Sequence, residues 1–115
     1  MLLVDDDASL RRALGRALRL AGFDVETFAS AEALLARGVG ERDRCLVLDI
    51  DLPVMGGIAC KRRLDAIGRT VPTIFITALA SADVRESLAD VPSVAVLFKP
   101  FDKEELIDAV GGVSR

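Results

Sequence analysis

Three unbroken apolar triplets, Leu2-Leu3-Val4, Leu46-Val47-Leu48 and Ile74-Phe75-Ile76, constrain this chain more than any other feature, because each runs straight into a polar residue. Short apolar runs without alternation are what the interior strands of a parallel sheet require, since helices cover both of their faces. Between the triplets lie segments of helical period. From Ser9 to Ala21, Leu10, Ala13, Leu14, Ala17, Leu18 and Ala21 recur at the spacing of one helix face, with Arg11, Arg12, Arg16 and Arg19 among them as a solvated face. Asp7 or Ser9 is placed to cap that helix and Gly22 to close it.

Asp24-Val25-Glu26-Thr27-Phe28 alternates like a half-buried edge strand, and Ser30 then opens a helix through Leu34, Leu35 and Arg37 that Gly38 and Gly40 break. After the strand Cys45–Leu48 comes a loop, Leu52-Pro53-Val54-Met55-Gly56-Gly57, and a helix with Ile58, Leu64 and Ile67 as its apolar positions. Thr73–Ile76 is the next strand, Ala82–Ala89 a weaker helix and Val94–Phe98 the last strand. Asp102, with Glu105 three residues on, starts a final helix whose inner face is Leu106, Ile107 and Val110; Gly111-Gly112 is expected to end it.

Five strands alternating with five helices within 115 residues define an α/β chain. Right-handed crossovers turn that order into a parallel sheet sandwiched between two helical layers. Ligands of such sheets sit outside the carboxyl ends of the strands. Asp5 and Asp6, Asp49, Thr77 and Lys99 all fall at those ends. Carboxylates gathered there repel one another unless some are protonated or a cation lies among them, so a hard divalent ion with oxygen ligands, Mg2+, is implied.

Composition removes other chemistries. At 51% hydrophobic and 29% charged residues the chain has the balance of one globular domain, and no apolar run approaches the length of a membrane span. No signal peptide is visible, which makes the cytoplasm the expected compartment. A net charge of -3 argues against direct nucleic-acid contact, which needs a basic footprint. With no His at all, Ser-His-Asp or Cys-His catalysis, His-ligated zinc and a phosphohistidine on this chain are excluded. Cys45 and Cys60 lack metal-like spacing and read as buried thiols. There is no internal repeat, low-complexity stretch or linker.

Within the gathered set, Asp49 is the nucleophile candidate: a carboxylate at the end of a central strand can attack phosphorus in line and carry the phosphoryl as an acyl phosphate. Lys99 offers a positive charge to one phosphoryl oxygen and the Thr77 hydroxyl a donor to another, while Ala78 is small enough to leave the approach open. Asp7 reads as a helix cap, and Asp51 as a backbone ligand with a solvated side chain.

Val4-Asp5-Asp6-Asp7, the loop Asp49-Ile50-Asp51-Leu52-Pro53-Val54-Met55-Gly56-Gly57, Phe75-Ile76-Thr77-Ala78 and Phe98-Lys99-Pro100-Phe101 together resemble the signature of CheY-like receiver domains of two-component response regulators. The resemblance covers nearly the whole chain in order and spacing, and its blocks lean toward FixJ-type transcriptional regulators. It implies a flavodoxin-like (βα)5 sandwich with strand order 2-1-3-4-5, forming a single receiver domain over residues 1–115. It also implies phosphotransfer to Asp49 from the phosphohistidine of a sensor histidine kinase or a histidine phosphotransfer protein. The missing His fits, because the donor imidazole then belongs to the partner.

By the same resemblance, Mg2+ is held directly by Asp6 and Asp49, through water by Asp5 and by the carbonyl of Asp51, and the bond before Pro100 is cis. The chain is then a signalling phosphoacceptor and not an enzyme, acting on an effector domain or protein outside it. Four positions depart from the family pattern. Val96 stands where a switch Tyr or Phe is usual, Pro92-Ser93 where Gly-Ala is usual, and Leu52 where Met is frequent.

Two other classes compete. Asp49-Ile50-Asp51 also resembles the nucleophile motif of haloacid-dehalogenase-like phosphatases, but those place it on their first strand, and here Asp5-Asp6 precede it. A flavodoxin-like ligand binder would need a Ser/Thr/Gly phosphate loop where this chain has acid. For output, Val94, Val96 and Phe98 share one face of the last strand by its two-residue period. Phe98 is the expected anchor of a weak phosphorylation-dependent homodimer or partner complex, unless a neighbouring helix covers it. Leu79, two residues past Thr77, is expected to hinder water and slow loss of the phosphoryl group.

Overall fold

The computed structural model describes residues 1–78, 82–93 and 95–114, so Leu79 and Val94 lie outside the described residues. The elements in chain order are β1 (Leu2–Val4), α1 (Ala8–Leu20), β2 (Glu26–Phe28), α2 (Ala31–Arg37), β3 (Leu46–Asp49), α3 (Gly57–Ala66), β4 (Thr73–Thr77), α4 (Ala82–Ala89), β5 (Ala95–Phe98) and α5 (Lys103–Ser114). All strand pairings are parallel and the sheet order is β2-β1-β3-β4-β5, as the resemblance implied. The three apolar triplets fall in β1, β3 and β4, every residue of which is buried.

Side chains of successive strand residues point to opposite faces, and the sheet therefore divides the core in two. Leu2, Val4, Leu46, Leu48 and Phe75 pack with Leu34 of α2 and Cys60 and Leu64 of α3. Leu3, Val47, Ile74 and Ile76 pack with Leu14 and Leu18 of α1 and Leu106 and Val110 of α5. In-register pairing of Val4 with Leu48, Asp49 with Ile76 and Thr77 with Phe98 aligns the carboxyl ends of four strands. That alignment positions the site.

The β5 side is looser. Ala95 and Leu97 lean on the α1/α5 core and Val96 on the other, yet none is fully buried, and Phe98 is 39% exposed. Among the described residues no helix covers Phe98 completely. Among its described residues α4 has none that is buried, with Leu88 its contribution to the core.

Local chemistry explains most boundaries. Asp7 is the cap of α1, accepting from the Leu10 amide at 3.1 Å, and Ser30 caps α2 through the Ala33 amide at 3.1 Å. Ala13 and Ala21, expected on the apolar face, are exposed. The last helix does not stop at Gly111-Gly112 but continues to Ser114. Each Gly costs about 1 kcal/mol of helix propensity, but Val110 and Val113 pack on the core from either side of the pair and hold the helix through it.

Lys61 was not among the expected core positions, and it is 1% exposed. Its Nζ donates to Asp65 Oδ1 at 2.9 Å and to the Val71 carbonyl at 3.1 Å. Cys45 and Cys60 are buried and form no disulfide, and burial pushes the Cys60 thiol up to about 11. Among the described residues no helix is long and apolar enough to cross a membrane.

Candidate functional site

The same local turn closes β1 and β3. Asp5 Oδ1 accepts from the Asp7 amide and Asp49 Oδ1 from the Asp51 amide, each at 2.9 Å, so one oxygen of each carboxylate is committed two residues along its own chain. The Asp5 carbonyl is held by Arg11 at 2.8 Å and its amide donates to Phe28 at 3.1 Å. The second oxygens face one cation: Lys99 Nζ lies 3.1 Å from Asp49 Oδ2 and 3.4 Å from Asp5 Oδ2. Lys99 is aimed there by its amide, which donates to the Thr77 carbonyl at 2.8 Å, and is followed by a cis bond to Pro100.

Burial sets the electrostatics. Asp5 and Asp49 are buried, whereas Asp6 is exposed beside them, and carboxylate oxygens of all three lie within 4.8 Å of one another. Among the described residues Asp5 Oδ2 is buried with no hydrogen-bond partner. Burial pushes the Asp49 carboxyl above its ordinary range; the Asp51 amide opposes this, the Asp5 charge adds to it and Lys99 opposes it again. For Lys99, burial acts to lower the ammonium, but its hydrogen bond and charge contact with Asp49, helped by Asp5, win and raise it. One lysine thus serves a cluster whose acids outnumber it. An oxygen-rich cluster with a buried carboxylate oxygen that has no hydrogen bond is chemically suited to a hard cation.

The sequence pattern of the response regulator receiver domain matches residues 1–111. The chain belongs to that family. It is 34% identical to the transcriptional regulatory protein PrrA of Mycobacterium tuberculosis over 115 residues, all of this chain and 49% of that protein. It therefore spans about half the length of the curated relatives it matches. In three dimensions it resembles the chemotaxis protein CheY4 of Vibrio cholerae, with a TM-score of 0.87, 28% identity and coverage of 97% of this chain and 95% of that one. It also resembles the FixJ-N structure, with a TM-score of 0.86, 31% identity and coverage of 96% and 88%. Receiver membership leaves the haloacid-dehalogenase-like alternative without support, and the geometry agrees: Asp49 ends the third strand while Asp5 and Asp6 directly follow the first.

Within this receiver domain, Thr77 is buried at the end of β4 and its Oγ1 donates to Asp51 Oδ2 at 3.0 Å. The Ala78 amide donates to the same oxygen, also at 3.0 Å. The Asp51 side chain is exposed, as expected, but it is also tied to the end of β4 by these two hydrogen bonds, which the sequence did not suggest. β3 and β4 are neighbours, so a carboxylate two residues past Asp49 reaches the donors at the end of the adjacent strand.

Sequence reasoning also missed the part played by Gly57. A Cβ there would collide with the Asp49 carbonyl oxygen, because α3 starts directly over the end of β3, with the Gly57 amide donating to the Ile50 carbonyl at 3.1 Å. The Gly-Gly pair in the loop was the available signal. Next to it Val54 is fully exposed and holds φ 68, a left-handed conformation costly for a β-branched residue.

Proposed function

We propose that residues 1–115 act as one receiver unit that takes a phosphoryl group onto Asp49 from the phosphohistidine of a sensor histidine kinase or histidine phosphotransfer protein. An Asp49 carboxylate oxygen forms the new P–O bond, the P–N bond breaks, and its electron pair returns to the donor imidazole. The observation that carries this reading is the setting of Asp49: buried, at the end of the central strand, touched by Lys99 and clustered with Asp5 and Asp6.

The donor set fits Mg2+, since it is all oxygen and includes the buried Asp5 Oδ2, which has the 3.4 Å contact with Lys99 but no hydrogen bond among the described residues. Asp6 and Asp49 would hold the ion directly, with the Asp51 carbonyl as a further ligand and Asp5 acting through water. When bound, Mg2+ supplies positive charge that offsets the phosphoryl oxygens. The chain's own residues do the rest: Lys99 places its ammonium beside the Asp49 oxygen, and the Thr77 hydroxyl and Ala78 amide, both given to Asp51 Oδ2 in this structure, are the donors for the phosphoryl oxygens once Asp49 is phosphorylated. The unit is a signalling phosphoacceptor of the cytoplasm whose effector lies outside these residues. Its output surface is the β5 face with Val96 and the half-exposed Phe98, through which phosphorylation favours a homodimer or partner complex.

Acetyl phosphate with Mg2+ should add one phosphoryl mass to the intact protein, located on the Asp49 peptide and absent from Asp49→Asn. Label on another residue, or label that survives the substitution, would refute the assignment.

A further inference from the structure

Two donors that the proposed function assigns to phosphoryl oxygens, the Thr77 hydroxyl and the Ala78 amide, converge on a single atom, Asp51 Oδ2, at 3.0 Å each. A carboxylate oxygen and a phosphoryl oxygen are both anionic acceptors, and a donor pair that holds one is fitted to hold the other. We propose that the Asp51 carboxylate is an internal stand-in for the phosphoryl group. It occupies the Thr77/Ala78 donors in the unphosphorylated chain and has to leave them when Asp49 is phosphorylated.

The geometry permits this exchange at little cost elsewhere. The Asp51 amide is fixed to Asp49 Oδ1 at 2.9 Å, so the backbone stays in place and only the side chain must turn. Asp51 is an exposed residue, and its released carboxylate enters water and not the core. Phosphorylation also supplies a reason to leave, since a second anion arriving at the same donors repels the first. Asp51 is therefore a positioning residue: it acts through Thr77 and Ala78, keeping the end of β4 in one arrangement until an incoming anion displaces it. It lowers the apparent affinity of the site for that anion by the fraction of molecules whose donors are occupied.

This inference rests on the receiver reading, and the experiment separates the two. Beryllofluoride binding, in the presence of Mg2+, is measured by amide NMR on the wild type, Asp49→Asn, Asp51→Ala, Thr77→Val and the Asp51→Ala/Thr77→Val double variant. Asp51→Ala should bind beryllofluoride roughly tenfold more tightly, the size expected for removing a partly solvated competitor for charge-assisted hydrogen bonds. In the Thr77→Val background that gain should shrink severalfold, because Asp51 acts through the donors it holds. Without beryllofluoride or metal, Asp51→Ala should shift the Ala78 amide resonance and speed its hydrogen exchange.

A gain that persists in full in the double variant would mean that Asp51 acts by charge alone, and the stand-in role would fall. Equal or weaker binding by Asp51→Ala, with wild-type binding intact and lost in Asp49→Asn, would overturn the inference and leave the receiver reading standing. Failure of the wild type to bind at all would overturn both.

Discussion

Lys61, on α3 and reaching the Val71 carbonyl just before β4, and Lys99, just past the carboxyl end of β5, both form ion pairs, and their surroundings are inverted. At Lys61 the cation is buried, 1% exposed, while its partner Asp65 is 28% exposed and reaches water. At Lys99 the cation is 24% exposed, and its partners Asp5 and Asp49 are the buried ones, at 0% and 1%. The first pair is balanced: one charge meets one charge, and the Val71 carbonyl takes another of the ammonium's protons. The second is not, since Lys99 faces more than one carboxylate and Asp5 Oδ2 has no hydrogen bond among the described residues. A buried charge that is fully partnered serves the fold, whereas an excess of buried charge of one sign has to be supported by the rest of the structure. The comparison assigns stability to one pair and reactivity to the other.

The largest break of that comparison is at the balanced pair. Lys61→Ala removes one of the largest fully buried side chains and should cost about 3 kcal/mol in urea unfolding, while Lys61→Met, which keeps the apolar stem, should cost less than about 1.5 kcal/mol. Phosphorylation of Asp49 should proceed in both. A Met variant as damaged as the Ala variant would show that the charge and not the stem carries the stability.

At the unbalanced cluster the sign should reverse. Asp5→Asn keeps the oxygen that accepts from the Asp7 amide and removes one buried negative charge at the cost of its 3.4 Å contact with Lys99, which retains Asp49, so the metal-free protein should gain about 1 kcal/mol. Saturating Mg2+ should erase the gain, because the wild type then has the cation that its carboxylates lack. A loss of stability in metal-free buffer would contradict the excess of negative charge.

The smallest expected effect sharpens the contrast from the backbone. Val54, in the loop after β3, is fully exposed at φ 68, and Val54→Asn should raise the urea midpoint by the equivalent of a little under ~1 kcal/mol, since Asn tolerates that region far better. No change would remove strain from the account of this loop.

How much of this was legible in the sequence follows from what burial writes into it. β1, β3 and β4 were readable, with the polar residues that end them, because strands covered on both faces must be continuously apolar and the first residue able to leave the core stands out. Asp5, Asp6, Asp49, Thr77 and Lys99 converge where that logic put them. Lys61 was not legible, because a lysine on a helix of mixed polarity reads as surface until the Val71 carbonyl and Asp65 are seen beside it. The run of α5 through Gly111-Gly112 was missed for a related reason, since local propensity argued for a stop and packing by Val113 overruled it. The tie from Asp51 to Thr77 joins residues 26 apart in sequence, and only the adjacency of β3 and β4 reveals it.

The crowding at Gly57 bears on descent. A lineage can drift at most positions of the β3–α3 loop, but any side chain at 57 meets the Asp49 carbonyl, and only backbone retreat of α3 relieves it. A descendant could therefore retain Asp5, Asp6, Asp49, Thr77 and Lys99 and still have lost the mould that holds Asp49 in place. When related chains are sorted into working and decayed copies, the residue at position 57, which contributes no functional group, should record the loss of activity before any of the charged positions changes.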